Sequence, residues 1–207
     1  MPAKARKSKP VIDFLSVGEG RLKGPAFKFA QALSRREKQG KAMAIDVKAP
    51  TYELPKNMAF IPRDALTFIE GMRSSSVKIV RDDLFFQYAM YGKGKATPRQ
   101  QQQALKAFEN SLHAPTASYG PAPPNFRKNE LKYIRHVKRV LIPGGRFVLT
   151  ADAKTAQCIT RLLVQEGFQI RTHKELNEEQ IMRAGSPHTI MAFKAGERMY
   201  RIIAVKP

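Results

Sequence analysis

The sequence predicts an α/β protein built on a doubly wound, mostly parallel β-sheet. Two observations predict it. Short apolar runs rich in β-branched residues alternate along the chain with segments whose apolar residues have helical spacing. Strands separated in this way by helices favour a parallel sheet. With 207 residues, of which 43% are hydrophobic and 26% charged, the chain can bury the core that such a domain needs.

The predicted strands, in chain order, are VIDFLSV, KAMAIDV, MAFIPRD, SVKIVRDDLFF, RFVLTAD, FQIRTHKEL and MYRIIAVKP. The predicted helices are PAFKFAQALSRREKQG, ALTFIEGM, NFRKNELKYIRHVKRVL and KTAQCITRLLVQEG. In the first helix, Phe27 and Leu33 lie on one face, and Gly40 marks the predicted stop. The second and third strands end in Asp46 and Asp64. Ligands of such sheets bind at the carboxyl ends of the strands.

One segment, at about residues 87–125, is longer than a normal connection between elements. Within it, Thr97 and Pro98 form an N-cap and N1 pair, which predicts a helix between two turn-rich flanks. Long loops at the ligand edge of a sheet are usually functional. The sequence therefore predicts a basic N-terminal arm, residues 1–10, and one domain, residues 11–207, that carries this insertion.

Charge is the strongest global signal. The formal net charge is +20 and the isoelectric point is about 10.3, which favours polyanions as partners. RNA or DNA is the first expectation and an acidic membrane surface the second. The lone Cys158 excludes a disulfide framework, and no cysteine or histidine cluster has zinc spacing. The single cysteine favours a reducing compartment, so the expected location is cytoplasmic. The sequence shows neither an apolar run of membrane-spanning length nor the apolar core of a signal peptide.

The stretch LKYIRHVKRVLIPGGRFVLTAD places a helix, a Pro-Gly-Gly turn and an apolar strand in direct succession. This passage, together with AIDVKAP and FIPRDAL, resembles the class I, Rossmann-like S-adenosylmethionine-dependent methyltransferases, over roughly residues 10–207. The resemblance implies a seven-stranded, mostly parallel sheet whose last strand, MYRIIAVKP, is antiparallel. It also implies S-adenosylmethionine as the cofactor.

By this resemblance, Asp46 at the end of the second strand accepts hydrogen bonds from the ribose hydroxyls of the donor. Asp64, after the third strand, accepts from the adenine amino group, and the backbone of Ala65 lies close to the ring. Each acid taken alone is equally well read as a helix N-cap. Their order and their position at strand ends favour the ligand reading.

The first strand runs into VIDFLSVGEGRLKG, where the family pattern is acid-x-Gly-x-Gly-x-Gly. Gly18 and Gly20 let the backbone approach the methionine part of the donor. Ser16 stands in place of the acid and Leu22 in place of the third glycine. Glu19 either supplies the missing charge or repels the donor's carboxylate, and the cations of the loop offer phosphate binding as an alternative.

Asp82 and Asp83, in VRDDLFF after the fourth strand, are the candidate catalytic residues, as general base or substrate contact. A structural carboxylate is the alternative for both. The Asn/Asp-Pro-Pro-Tyr/Phe motif of some base-modifying members is absent here, which disfavours that type of exocyclic-amine transfer. Methyl transfer from a sulfonium requires mainly the positioning of an in-line nucleophile, so activity does not depend on an acid or base.

A row of cations on one helix and further cations in the long loop are the candidate contacts to nucleic acid. On the helix they recur at i, i+4, i+7 and i+11, opposite an apolar side, as expected for a stripe that follows a phosphate backbone. An ordinary solvated helix face is the alternative. The candidates are Lys93, Lys95, Arg99, Lys128, Lys132, Arg135 and Arg139.

Together these features predict a methyltransferase that uses S-adenosylmethionine and acts on RNA, such as ribosomal RNA or a ribonucleoprotein. A second reading keeps the fold as an RNA-binding or ribosome-associated protein without methyl transfer, because the first loop departs from the family pattern. A third is a small-molecule methyltransferase whose long loop forms a lid. The sequence leaves the oligomeric state open.

Overall fold

A computed structural model describes residues 11–18, 23–36, 40–46, 49–83, 126–184, 187–194 and 196–207. The basic arm and the insertion, with the helix expected inside it, lie outside the described residues. Within the part described, no helix is both long and apolar enough to cross a bilayer.

Seven strands form one sheet in the order β3-β2-β1-β4-β5-β7-β6. Six of them, β1 to β6, point in the same direction, and β7 is antiparallel to both of its neighbours, β5 and β6. The predicted seven-stranded, mostly parallel sheet with an antiparallel last strand is confirmed. The strands are β1 (Ile12–Val17), β2 (Ala42–Asp46), β3 (Met58–Pro62), β4 (Val77–Asp83), β5 (Leu141–Asp152), β6 (Gln169–Glu175) and β7 (Met199–Val205).

Six helices are present in the described ranges: α1 (Pro25–Arg35), α2 (Ala65–Gly71), α3 (Phe126–Val140), α4 (Ala153–Gln165), α5 (Glu178–Ala184) and α6 (Pro187–Lys194). The first four agree with the predicted helices. Helices α5 and α6 were not predicted from the sequence. These two short helices pack Ile181 and Ile190 against Met199 at the start of β7.

Side chains alternate between the two faces of the sheet, as the two-residue period of a strand requires. On one face Leu15, Val80 and Phe147 pack against Ile134 of α3 and Leu163 of α4, in the larger of the hydrophobic clusters. We call this the α3/α4 face. The opposite face carries α1 over β1, β2 and β3, and we call it the α1 face. Consecutive residues of one strand therefore meet different surroundings.

Helix α1 begins with Pro25 at its first position, where the missing N–H costs nothing. It ends at Arg35, and the N–H of Arg36 donates to the carbonyl of Leu33 at 3.1 Å. The predicted stop at Gly40 is therefore wrong. A Cβ added at Gly40 would lie 2.6 Å from Cδ1 of Leu33, so the glycine allows the chain entering β2 to pass close beneath the helix.

The Pro-Gly-Gly passage lies inside β5 rather than before it, since the strand begins at Leu141, directly after α3. Gly144 has a φ of +72°, and its N–H donates to the carbonyl of Lys206 at 2.9 Å. A Cβ at Gly145 would meet the carbonyl oxygen of Ile142 at 2.7 Å. Gly144 thus allows a left-handed backbone, and Gly145 allows a carbonyl group to lie where a Cβ would otherwise be. Together they let the strand continue through an irregularity.

Candidate functional site

The carboxyl ends of the parallel strands bring three of the predicted residues into one row. Val17 of β1 is in register with Ile45 of β2 and with Asp82 of β4. Gly18 directly follows β1, and the neighbouring strands β2 and β4 end in Asp46 and Asp83, so these three residues lie at the same end of adjacent strands. The N–H of Gly18 donates to the carbonyl of Ile45 at 3.0 Å, which holds the end of β1 against β2.

Gly18 has a φ of +72°, a backbone conformation that side chains rarely tolerate. This glycine directly follows β1, at the position where the resemblance expects the glycine-rich loop to begin. Glu19 and Gly20 lie outside the described residues. Ser16 is 2% exposed and stands in register with Ala44 and Arg81. Ser16, which stands where the family pattern has an acid, therefore has a buried hydroxyl on the α1 face.

Asp46 is the last residue of β2 and is partly exposed at the sheet edge. Asp64 lies two residues beyond β3 and caps α2. Its Oδ1 accepts from the backbone N–H of Thr67 at 2.9 Å and from the Thr67 hydroxyl at 2.8 Å. Ala65, the first residue of α2, is buried. Asp64 is therefore the N-cap of α2. A carboxylate that caps a helix can still accept further hydrogen bonds.

The two candidate catalytic acids face opposite sides of the sheet. Asp82 is fully buried on the α3/α4 face, where its Oδ2 accepts from the hydroxyl of Tyr133 at 2.9 Å. Asp83 is buried on the α1 face. There its carboxylate accepts from Nε of Arg81 at 3.1 Å and from Nη2 at 2.8 Å. Each acid therefore has a partner within the chain, and they do not form one catalytic pair.

Burial raises the pKa of the Tyr133 hydroxyl well above its ordinary value, and the charge and hydrogen bond of Asp82 raise it further. The pKa of this tyrosine is therefore higher in the folded chain than in the unfolded chain. The stabilisation that it contributes is complete below about pH 10, the ordinary tyrosine pKa, and is lost as the pH rises through the folded pKa.

We expect Tyr133→Phe to lower the free energy of unfolding at neutral pH by about 1.5–3 kcal/mol, because a buried carboxylate loses a hydrogen-bond donor. The loss of stability that the wild type shows above about pH 10 should also shrink in the variant. Urea unfolding at neutral and alkaline pH measures both effects. Tyr200→Phe, on a partly exposed tyrosine whose hydroxyl bonds Glu175, is the control. Equal losses in both variants would contradict the buried pairing.

The Arg81–Asp83 pair is a two-point contact, with side chains only 13% and 2% exposed. Asp83 is in register with Thr150 of β5, and Thr150 is in register with Arg201 of β7. Asp83, Thr150 and Arg201 thus form a row on the α1 face, near the edge that carries Gly18. Of these three residues, only Asp83 was predicted from the sequence. An arginine inside the otherwise apolar run MYRIIAV was the signal for the rest.

The described cations of the α3 stripe have intramolecular partners. Lys132 donates to Glu70 at 3.0 Å, and Nε of Arg135 donates to Glu166 at 3.0 Å. The hydrogen bond from Lys132 is the largest of the effects that lower the pKa of Glu70. Lys93, Lys95 and Arg99 lie outside the described residues, as does the side chain of Lys128.

Arg139 is engaged differently, because its guanidinium satisfies carbonyl groups at the end of α2. Nη2 donates to the carbonyl of Ile69 at 2.8 Å and to that of Glu70 at 3.0 Å, and Nη1 donates to that of Met72. A cation at this position also interacts favourably with the negative end of the helix dipole. This arginine therefore ties α3 to α2 within the fold.

No model of a known protein family matches the sequence, and no curated protein matches it. Solved structures do match. One is a SAM-dependent methyltransferase from Aquifex aeolicus, 12% identical, with a TM-score of 0.51; the match covers 96% of this chain and 84% of that one. The chain has the methyltransferase fold. The resemblance inferred from the Pro-Gly-Gly passage and the strand-end acids is confirmed at the level of fold.

Two further matches differ in what their proteins do. One is a 16S rRNA (adenine(1408)-N(1))-methyltransferase from Catenulisporales acidiphilia, 12% identical, with a TM-score of 0.53 and coverage of 95% of this chain and 86% of that one. Another is the [4+2]-cyclase SpnF, 14% identical, with a TM-score of 0.52 and coverage of 96% and 75%. The methyltransferase fold thus accommodates more than one chemistry. The function therefore has to be inferred from the residues of the site and not from the fold.

Proposed function

We propose that this protein binds S-adenosylmethionine at the carboxyl edge of its sheet and transfers the methyl group to RNA. The observation that carries the proposal is the placement of Gly18, with its left-handed backbone, next to the strand-end carboxylate Asp46. Ligands of open α/β sheets bind outside the carboxyl ends of the strands, and the position of this pair at those ends supports the proposal. The net charge of +20 supports RNA, ribosomal RNA or a ribonucleoprotein, as the acceptor.

The described residues fit the parts of a nucleoside. A carboxylate at the end of β2 can accept from both ribose hydroxyls, which we assign to Asp46. Without a Cβ, Gly18 lets the backbone come close to the amino-acid end of the donor. We assign the adenine amino group to Asp64, whose cap fixes the start of α2, and the ring face to Ala65, a small buried residue beside it.

Bound donor supplies a methyl group on a positively charged sulfur, ready for an in-line nucleophile. The task of the protein is then to orient the acceptor and to exclude water. A general base is not required, and the carboxylates of Asp82 and Asp83 already bond Tyr133 and Arg81. We therefore assign these two acids positioning roles beside the donor rather than proton transfer.

Isothermal titration calorimetry with S-adenosylmethionine and S-adenosylhomocysteine tests the proposal. We expect saturable binding with a Kd below about 1 mM, within the usual range for enzyme ligands. Adenosine alone should bind more weakly, because it lacks the amino-acid end that the first loop would hold. No heat of binding at millimolar donor would contradict the proposal.

A second function has one specific observation in its favour. Ser16, at the position of the family's acid, is buried beside Ala44 in the sheet and carries no charge to the donor's ammonium group. An RNA-binding protein that keeps the fold without methyl transfer is consistent with this. It would bind RNA with a steep salt dependence and with the same affinity whether or not the donor is present.

A further inference from the structure

The row on the α1 face contains polar groups without partners. Nε and Nη2 of Arg201 and the hydroxyl of Thr150 are shielded from solvent, and no described residue accepts from or donates to them. Thr150 is 1% exposed and in register with Arg201. Buried polar groups in native proteins nearly always have partners, and the charged ones most of all. A missing partner therefore points to a ligand.

The chemistry of the missing partner follows from two other arginines of the chain. Arg81 uses its Nε and Nη2 groups together to hold both carboxylate oxygens of Asp83. Arg198 uses the same two groups on Glu175. This edge of a guanidinium is a planar fork that matches two oxygens of one oxyanion. In Arg201 the same edge lacks a partner.

The charges around Arg201 also favour an anion. The charges of Arg81 and Asp83 cancel within their own pair. Burial lowers the pKa of Arg201, and the positive charge of Arg81 lowers it further, although Asp83 acts in the opposite direction. Lys174, in register with Arg201 on β6, adds an exposed positive charge. An oxyanion between these groups would relieve the cost of burying the guanidinium.

We propose that Arg201 and Thr150 form an oxyanion subsite at the acceptor end of the sheet and that its ligand is a phosphate group of the RNA. The inference rests on the proposed function for the identity of the acceptor. Its place follows from the register, because Asp83 links this row to Gly18 at the edge where we place the donor. A phosphate one or a few nucleotides from the modified one would be held there, fixing the RNA relative to the methyl group.

Nitrogen-15 NMR of the arginine Nε–H groups tests this subsite without activity as the readout. Arg201→Lys identifies the Arg201 signal by its loss. The wild type is then titrated with inorganic phosphate, with acetate and with a short mixed-sequence RNA. We expect the Arg201 signal to shift saturably with phosphate and at lower concentration with RNA. The signal of Arg171, an exposed arginine on β6, is the control and should not saturate in parallel.

Thr150→Val keeps the shape of the side chain and removes the hydroxyl, so it should weaken phosphate binding by about 10- to 100-fold, the usual effect of one hydrogen bond to a charged group. An Arg201 signal that moves with none of the three ligands would overturn the subsite. So would an unchanged phosphate affinity in Thr150→Val. A response to acetate but not to RNA would overturn the phosphate assignment in favour of a small carboxylate acceptor.

Donor calorimetry on the same samples separates the two proposals. If the protein binds the donor but the Arg201 signal does not shift with any ligand, only the subsite proposal is overturned. If the Arg201 signal saturates with phosphate but the protein does not bind the donor, the proposed methyl transfer is overturned and the subsite proposal stands.

Discussion

Replacing Asp83 with alanine is expected to lower the free energy of unfolding by about 3–5 kcal/mol, the usual cost of removing one partner of a buried ion pair. The variant leaves the Arg81 guanidinium buried without its two-point contact. It also removes the negative charge that opposes the repulsion between Arg81 and Arg201. Chemical denaturation at neutral pH measures the loss.

The chain contains a matched control for this prediction. Glu175 and Arg198 make the same two-point contact, but their side chains are 44% and 67% exposed. Because water solvates the arginine that remains, Glu175→Ala should cost far less than Asp83→Ala. Arg81→Met combined with Asp83→Leu removes both charges and should recover most of the loss. Equal losses in the two single variants would show that burial does not determine the strength of the Asp83 pair.

The strands could be predicted from the sequence because each is a short apolar run that ends at a charged or turn residue. The predicted third strand, MAFIPRD, extended to Asp64, whereas β3 ends at Pro62 and Asp64 caps the next helix. Both roles suit an aspartate at a strand end, and the sequence does not distinguish them. The seven strands were predicted from local patterns and the antiparallel last strand from the resemblance. Their order in the sheet was not predicted, since local patterns do not carry strand order.

The short helices α5 and α6 were missed, although α5 has a local signal. The N–H of Gln180 donates to the side chain of Asn177 at 2.9 Å, and the N–H of Asn177 donates to that of Gln180 at 3.4 Å. This is a capping box, which Asn-x-x-Gln before a helix predicts. The two helices are 7 and 8 residues long, but α2 is equally short and was predicted, so length alone does not explain why they were missed.

Long-range pairs account for the remaining differences. The i, i+4, i+7 spacing correctly placed Lys132, Arg135 and Arg139 on one helix. It could not show that Glu70 and Glu166, at separations of 62 and 31 residues in the chain, would meet two of them. The partner of Tyr133, Asp82, also comes from a distant element, β4. Sequence spacing describes one element, whereas the site depends on which elements the sheet brings together.

Replacing Asp46 with asparagine is expected to weaken binding of S-adenosylmethionine by about 2–4 kcal/mol, or about 30- to 1000-fold in Kd. In the variant, two hydrogen bonds from the ribose, each worth about 1.5–3 kcal/mol, lose their charged acceptor. The amide oxygen of asparagine still accepts a hydrogen bond, which recovers part of this loss. Asparagine keeps the size of the side chain, so the end of β2 should not change. Calorimetry on the wild type and the variant gives the ratio.

Asp152→Asn is the control for this experiment, because Asp152 also ends a parallel strand at the same edge of the sheet. Its Oδ1 accepts from the N–H of Thr155 at 3.0 Å, so Asp152 caps α4. It is the last residue of β5, which is adjacent to neither β1 nor β2, and so it lies away from Gly18 and Asp46. The control variant should lose some stability and keep its donor affinity. If both variants bind the donor equally well, the ribose contact is wrongly assigned. If only Asp46→Asn loses affinity, the donor lies across the ends of β1 and β2, because among the described residues the left-handed glycine next to this carboxylate is Gly18, directly after β1.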